Sequence, residues 1–169
     1  MFAVTLSPPE GMTLTLETDT SACEISTTDL DGLEPDAVHA LIQAVRLLAE
    51  GVPDTGARWP SEPRGHFIDL SHGWRGQAGI AVHPFADDWL DTSLNHTPGT
   101  WTPRRGPALF TATTTLPALV RAFTEAFGAA RAGYVNHDRP RFGPYWRYPF
   151  PEQEFARLQA AGAALADAT

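Results

Sequence analysis

The chain has 169 residues, 43% hydrophobic and 19% charged, which suits one globular domain with a real core and excludes wholesale disorder. Its formal net charge of −8 argues against a general nucleic-acid binder that works by neutralising phosphates. A single cysteine, Cys23, excludes an intramolecular disulfide and a Cys-rich zinc site.

In chain order, Val4–Leu6 and Thr13–Glu17 alternate with period two and predict two half-buried strands, joined by the turn-rich stretch 7–11. A short third strand is expected through Cys23–Ser26. Its thiol has Glu24 beside it, and a neighbouring anion disfavours a thiolate, so Cys23 reads as a small buried or edge residue rather than a nucleophile. The first helix has Pro35 at its start, Asp36 at the positive end of the dipole, and Val38, Leu41, Ile42, Val45 and Leu48 at helical spacing. Gly51 closes it.

Residues 52–65, rich in Pro, Gly and charge, are expected as a loop. The stretches 66–71 and 78–83 read as a hairpin turned by Gly73-Trp74-Arg75-Gly76. Residues 84–107 have no sustained period. A strand over 108–113 leads to a second helix, with Thr115 as N-cap and Leu116, Leu119, Val120, Phe123 and Phe127 as its buried stripe. Gly133 is its expected end. Residues 134–150 are irregular and dense in aromatics and Arg. A third helix from Pro151 buries Phe155 and Leu158.

The order strands, helix, strands, helix, helix, with short turns inside the strand pairs, predicts an α+β fold. The expectation is a single domain over 1–169, with an antiparallel sheet of about five strands and two to three helices packed on one face. No internal repeat is visible. The N-terminus lacks a basic segment followed by an apolar run, and no window approaches ~18 apolar residues, so neither a secretory signal nor a membrane span is expected. The cytoplasm is the expected location.

Charge is unevenly spread. Residues 1–98 carry 4 Arg against 15 acids, whereas residues 99–150 carry 7 Arg against 2 acids. The pattern fits two regions that neutralise each other, or two surfaces of opposite sign with at least one facing a partner.

No segment carries a decisive catalytic motif. Asp87-Asp88-Trp89-Leu90-Asp91 has the letters of a magnesium-diphosphate motif, but Pro84 precedes it and no helical period would make the carboxylates converge. It reads as a solvated acidic loop or an acidic patch for a basic protein. Six His occur, and His66 and His72 fall on the opposite strand face from Asp69, so no metal site is expected. No Gly-x-Ser-x-Gly elbow and no Gly-rich phosphate cradle exist. No cofactor is implied.

Three readings remain. The first is a protein-binding module, an inhibitor or immunity-type protein that occludes a basic toxin or enzyme. Asp87, Asp88, Trp89, Asp91, Trp101, Arg104 and Arg105 are its candidate contact residues, because Trp, Arg and acids in long irregular segments suit an interface. The second is a small enzyme with a pocket between the sheet and the 134–150 strap. There His137, Asp138, Arg139, Arg141, Tyr145 and Trp146 would hold an anionic or aromatic ligand, with His72 or His83 as acid/base and Trp74 and Trp101 as walls. Single-strand nucleic-acid contact by the strap is a third reading, suited by Arg interleaved with aromatics.

Overall fold

The computed structural model describes residues 1–7, 12–27, 36–61, 64–86, 104–132 and 149–167. These form an α+β fold with seven strands and three helices. The strands are β1 (Phe2–Ser7), β2 (Met12–Thr18), β3 (Ala22–Thr27), β4 (Asp54–Pro60), β5 (Gly65–His72), β6 (Gln77–Pro84) and β7 (Phe110–Thr115). The helices are α1 (Ala37–Ala49), α2 (Leu116–Arg131) and α3 (Glu152–Asp167). All pairings are antiparallel, in two sheets with orders β1-β2-β3 and β4-β5-β6-β7.

The period-two pattern explains the three-stranded sheet. Leu6, Met12, Leu14, Leu16 and Ile25 point inward and are buried, while Thr5, Ser7, Glu17, Glu24 and Ser26 are exposed. Helix α2 packs on β1, and Phe2 lies 6.5 Å from Phe123 between ring centroids. Helix α1 packs on β4 and β5, and α3 packs on both other helices. The buried apolar residues of both sheets and all three helices form one continuous cluster, with Trp59, Phe123 and Phe127 as its largest fully buried members.

The helix ends follow local chemistry. Asp36 caps α1 by accepting from the Val38 amide at 3.0 Å, and Thr115 caps α2 by accepting from Ala118. At the other end of α1, Gly51 sits at φ 97° and donates to Leu48 O at 3.0 Å, while Val52 donates to Leu47 O at 3.0 Å. This paired closure requires the left-handed conformation that glycine adopts freely. His72 Nε2 also donates to Leu48 O at 2.8 Å, tying β5 to the end of α1.

The expected loop over 52–65 holds a strand instead, β4. Ala57 and Trp59 are buried on its inner face, and Pro60 stands at its end, where a missing amide costs least. Gly56 is required within it: a Cβ there would come 2.7 Å from Ile68 O. The Trp59 indole donates to Ile25 O at 3.3 Å and the Thr27 hydroxyl donates to Pro60 O, so β3 and β4 are pinned although they belong to different sheets. Gly133 and Pro35 lie outside the described residues. Among the described residues no helix is long and apolar enough to cross a membrane.

Candidate interaction site

The outward face of the four-stranded sheet is set by register. Gly56, Asp69 and Ala81 form one row, Arg58, Phe67 and His83 a second, and Ser71 and Gly79 a third. Thr111 and Thr113 complete these rows on β7. Apart from His83, these residues together with Asp54 and Arg105 line an open trough of about 790 Å³. Its floor is low because a Cβ on Gly56 would strike backbone, and one on Gly79 would lie 2.9 Å from Ser71 Oγ.

Arg105 governs one end of the trough. Its Nε donates to Asp69 Oδ2 at 2.8 Å and Nη2 to Oδ1 at 2.9 Å, a bidentate pair. The guanidinium carbon lies 4.3 Å above the centroid of the Phe67 ring. The hydrogen bonds it donates to Asp69 push the Arg105 pKa up from its ordinary value, and partial burial acts the other way. A backbone bridge joins Phe85 to Arg105, and Ala86 N–H donates to Arg104 O at 2.8 Å, so positions 86 and 104 stand side by side at the edge of the sheet. His83 Nδ1 donates to Gly106 O at 2.9 Å, which leaves Nε2 4.0 Å from Asp69 Oδ2.

Of the seven predicted contact residues, Arg104 and Arg105 are described and both are exposed. Asp87, Asp88, Trp89, Asp91 and Trp101 lie outside the described residues, as do His137, Asp138, Arg139, Arg141, Tyr145 and Trp146. His72 and His83 are not brought together. His72 pairs with Ala78 at one end of the β5–β6 ladder and turns inward to α1, whereas His83 pairs with Phe67 near the other end and faces outward. His66 belongs with His72 on the inner face; burial pushes its pKa down, and its Nδ1 has no partner among the described residues. Among the described residues, no three His, Cys, Asp or Glu side chains stand close enough to hold a metal.

A second hollow, about 560 Å³, lies between the starts of α1 and α3 and includes Asp36, His39, Glu152, Glu154 and Arg157. Its best-buried charge is engaged: Glu154 accepts from Arg46 Nε and from Arg157 Nη1 at 3.4 Å. Its own bonds to Glu154 and to Glu50 push the Arg46 pKa up.

A surface feature escaped the sequence reading. Residues 1–45 hold eight acids and no Arg or Lys. The β1–β3 register places Thr13, Thr15 and Glu17 of β2 beside Ser26, Glu24 and Ala22 of β3 on the outward face. Glu17 and Glu24 are exposed there, with Asp19 at the margin held to the terminal amino group. The signal was present as acids at outward-facing strand positions and a first basic residue only at Arg46.

No protein-family model matches the chain, and no curated protein matches it. Among solved structures, a chain from a CdiA-CT/CdiI toxin and immunity complex of Enterobacter cloacae is similar at a TM-score of 0.48 and 8% sequence identity. The match covers 76% of this chain and 99% of that one.

Proposed function

We propose that the chain is a protein-binding module of the inhibitor or immunity type, working in the cytoplasm by covering a basic partner protein, a toxin or an enzyme. The observation that carries this reading is the outward face of β1–β3, where Glu17 and Glu24 stand exposed in a stretch that has no Arg or Lys before Arg46. An acidic face raises the encounter rate with a basic surface and disfavours acidic competitors. The charged groups around the trough add support of a different kind. Asp69, Arg105 and His83 bind one another or the backbone, which is an arrangement that shapes a surface. Arg104 and Arg105 belong to the same reading as contact residues at the edge of that surface, and the acidic and Trp-bearing positions 87–91 and 101 would extend it.

The test is co-purification from the source lysate on immobilised chain, followed by binding kinetics with the purified partner. A stoichiometric protein partner whose association slows severalfold in the Glu17→Gln/Glu24→Gln double variant supports the reading. Absence of any stoichiometric protein partner sinks it.

A further inference from the structure

The turn between β5 and β6 is built against its own backbone preference. Arg75 has φ 57° and ψ 43°, and Gly76 has φ 75°, so both central residues of the turn are left-handed. Such hairpin turns favour Asn-Gly or Gly-Gly, because a Cβ crowds the following carbonyl in that conformation and Asn offsets the cost with a local hydrogen bond that Arg does not make. Among the described residues Arg75 is the one non-glycine residue with positive φ. Beside it Trp74 is 80% exposed, the most exposed aromatic among the described residues. Neither side chain has a hydrogen bond, ion pair or ring contact within the described residues. Among the described residues nothing uses these two side chains, yet the backbone under them is strained to carry one of them.

The turn is also rigid. Gly73 N–H donates to Gln77 O at 2.8 Å, and Gln77 N–H donates back to Trp74 O. His72 N–H donates to Pro53 O at 2.7 Å and His72 Nε2 to Leu48 O at 2.8 Å, which moors the hairpin to the end of α1. Among the described residues, 50–54 and 73–77 are all exposed, and the bond from His72 N–H to Pro53 O brings the two stretches together. Val52, 37% exposed, adds apolar area there.

We infer that Trp74 and Arg75 form a preorganised anchoring knob for the protein partner. The inference rests on the protein-binding reading above and names a second contact point on the same molecule. The complementary surface on the partner is an apolar pocket that admits an indole, rimmed by carbonyl or carboxylate oxygens that take the guanidinium. Trp and Arg dominate interface energetics when seated this way, and a rigid turn loses little freedom on docking. The knob lies at the Asp54 end of β4, whereas β3 meets β4 at the opposite end, through Trp59 and Pro60. The knob and the acidic face of β1–β3 are therefore separable by substitution. They also act on different rate constants, since a seated anchor governs dissociation and an exposed charge governs association.

The experiment uses the full chain and the purified protein that co-purifies with it, measured by surface kinetics at two salt concentrations. Trp74→Ala should raise the dissociation rate about tenfold or more with the association rate unchanged. Arg75→Asn should also speed dissociation, while leaving the unfolding midpoint at or above that of the parent chain because the strain is relieved. The Glu17→Gln/Glu24→Gln variant should slow association and leave dissociation alone. If Trp74→Ala binds like the parent while the glutamate variant is impaired, the knob is refuted and the protein-binding reading stands. If Arg75→Asn lowers the unfolding midpoint, Arg75 serves the fold and the knob is refuted as well. If no stoichiometric protein is captured, both fall together.

Discussion

Replacing Glu154 by Gln removes one charge from the most buried ion pair of the described residues and changes almost nothing in shape. The Glu154 side chain is 8% exposed and the Arg46 side chain 13% exposed. Breaking a buried pair by removing one partner typically costs about 3–5 kcal/mol, because the other charge is left in a poor solvent. Here Arg46 keeps Glu50, whose side chain is 44% exposed, so part of that penalty is offset. The expected loss is therefore about 2 kcal/mol, which for a chain of this size lowers the melting temperature by roughly 4–8 °C. Thermal unfolding followed by circular dichroism reads it directly. The companion is an Arg46→Met/Glu154→Leu double variant, in which both charges leave together and the site stays filled. It should recover most of the loss, since replacing a buried pair by apolar groups is often neutral. A Glu154→Gln variant within about 0.5 kcal/mol of the parent would refute the claim that this buried pair, which joins α3 to α1, contributes to stability.

Trp59→Phe leaves Ile25 O without its indole donor and opens space in a fully buried site, so a loss of about 1–3 kcal/mol is expected in chemical denaturation. Burial holds His66 toward its neutral form, while the unfolded chain takes up a proton near a pKa of about 6.5. Stability is thus complete above that value and falls as the pH is lowered through it, and His66→Gln should flatten the decline in melting temperature between about pH 7 and 5. Cys23 is half-buried and its thiol pKa is raised by burial, so alkylation by iodoacetamide in the native protein should be slower than that of a free cysteine and should accelerate on unfolding.

Much of the fold was legible because its elements carry strong periods. The stripe Val38, Leu41, Ile42, Val45 and Leu48, and the stripe Leu116 to Phe127, become the buried faces of α1 and α2. The alternation over 66–71 and 78–83 becomes the β5–β6 pair, and it correctly set Asp69 on the opposite face from His66 and His72. Strand β4 was hidden because Pro53, Gly56 and Pro60 read as loop formers, although each sits where tertiary packing tolerates or requires it. The division into two sheets was not readable, since local patterning does not say which strand edges meet once α1 intervenes between β3 and β4. The bidentate Asp69–Arg105 pair joins residues 36 positions apart and follows from the backbone bridge between Phe85 and Arg105, which composition does not encode. The exposure of Trp74 was equally out of reach: a turn was expected there, but not which way its indole points.

The central claim, that this acidic chain works by covering a basic protein, is tested most directly by association kinetics with the co-purified partner as ionic strength is raised. A bound protein of net positive charge is expected, with an association rate that falls steeply with salt and a shallower fall in the Glu17→Gln/Glu24→Gln variant. An association rate independent of salt, or no protein partner at all, would contradict it.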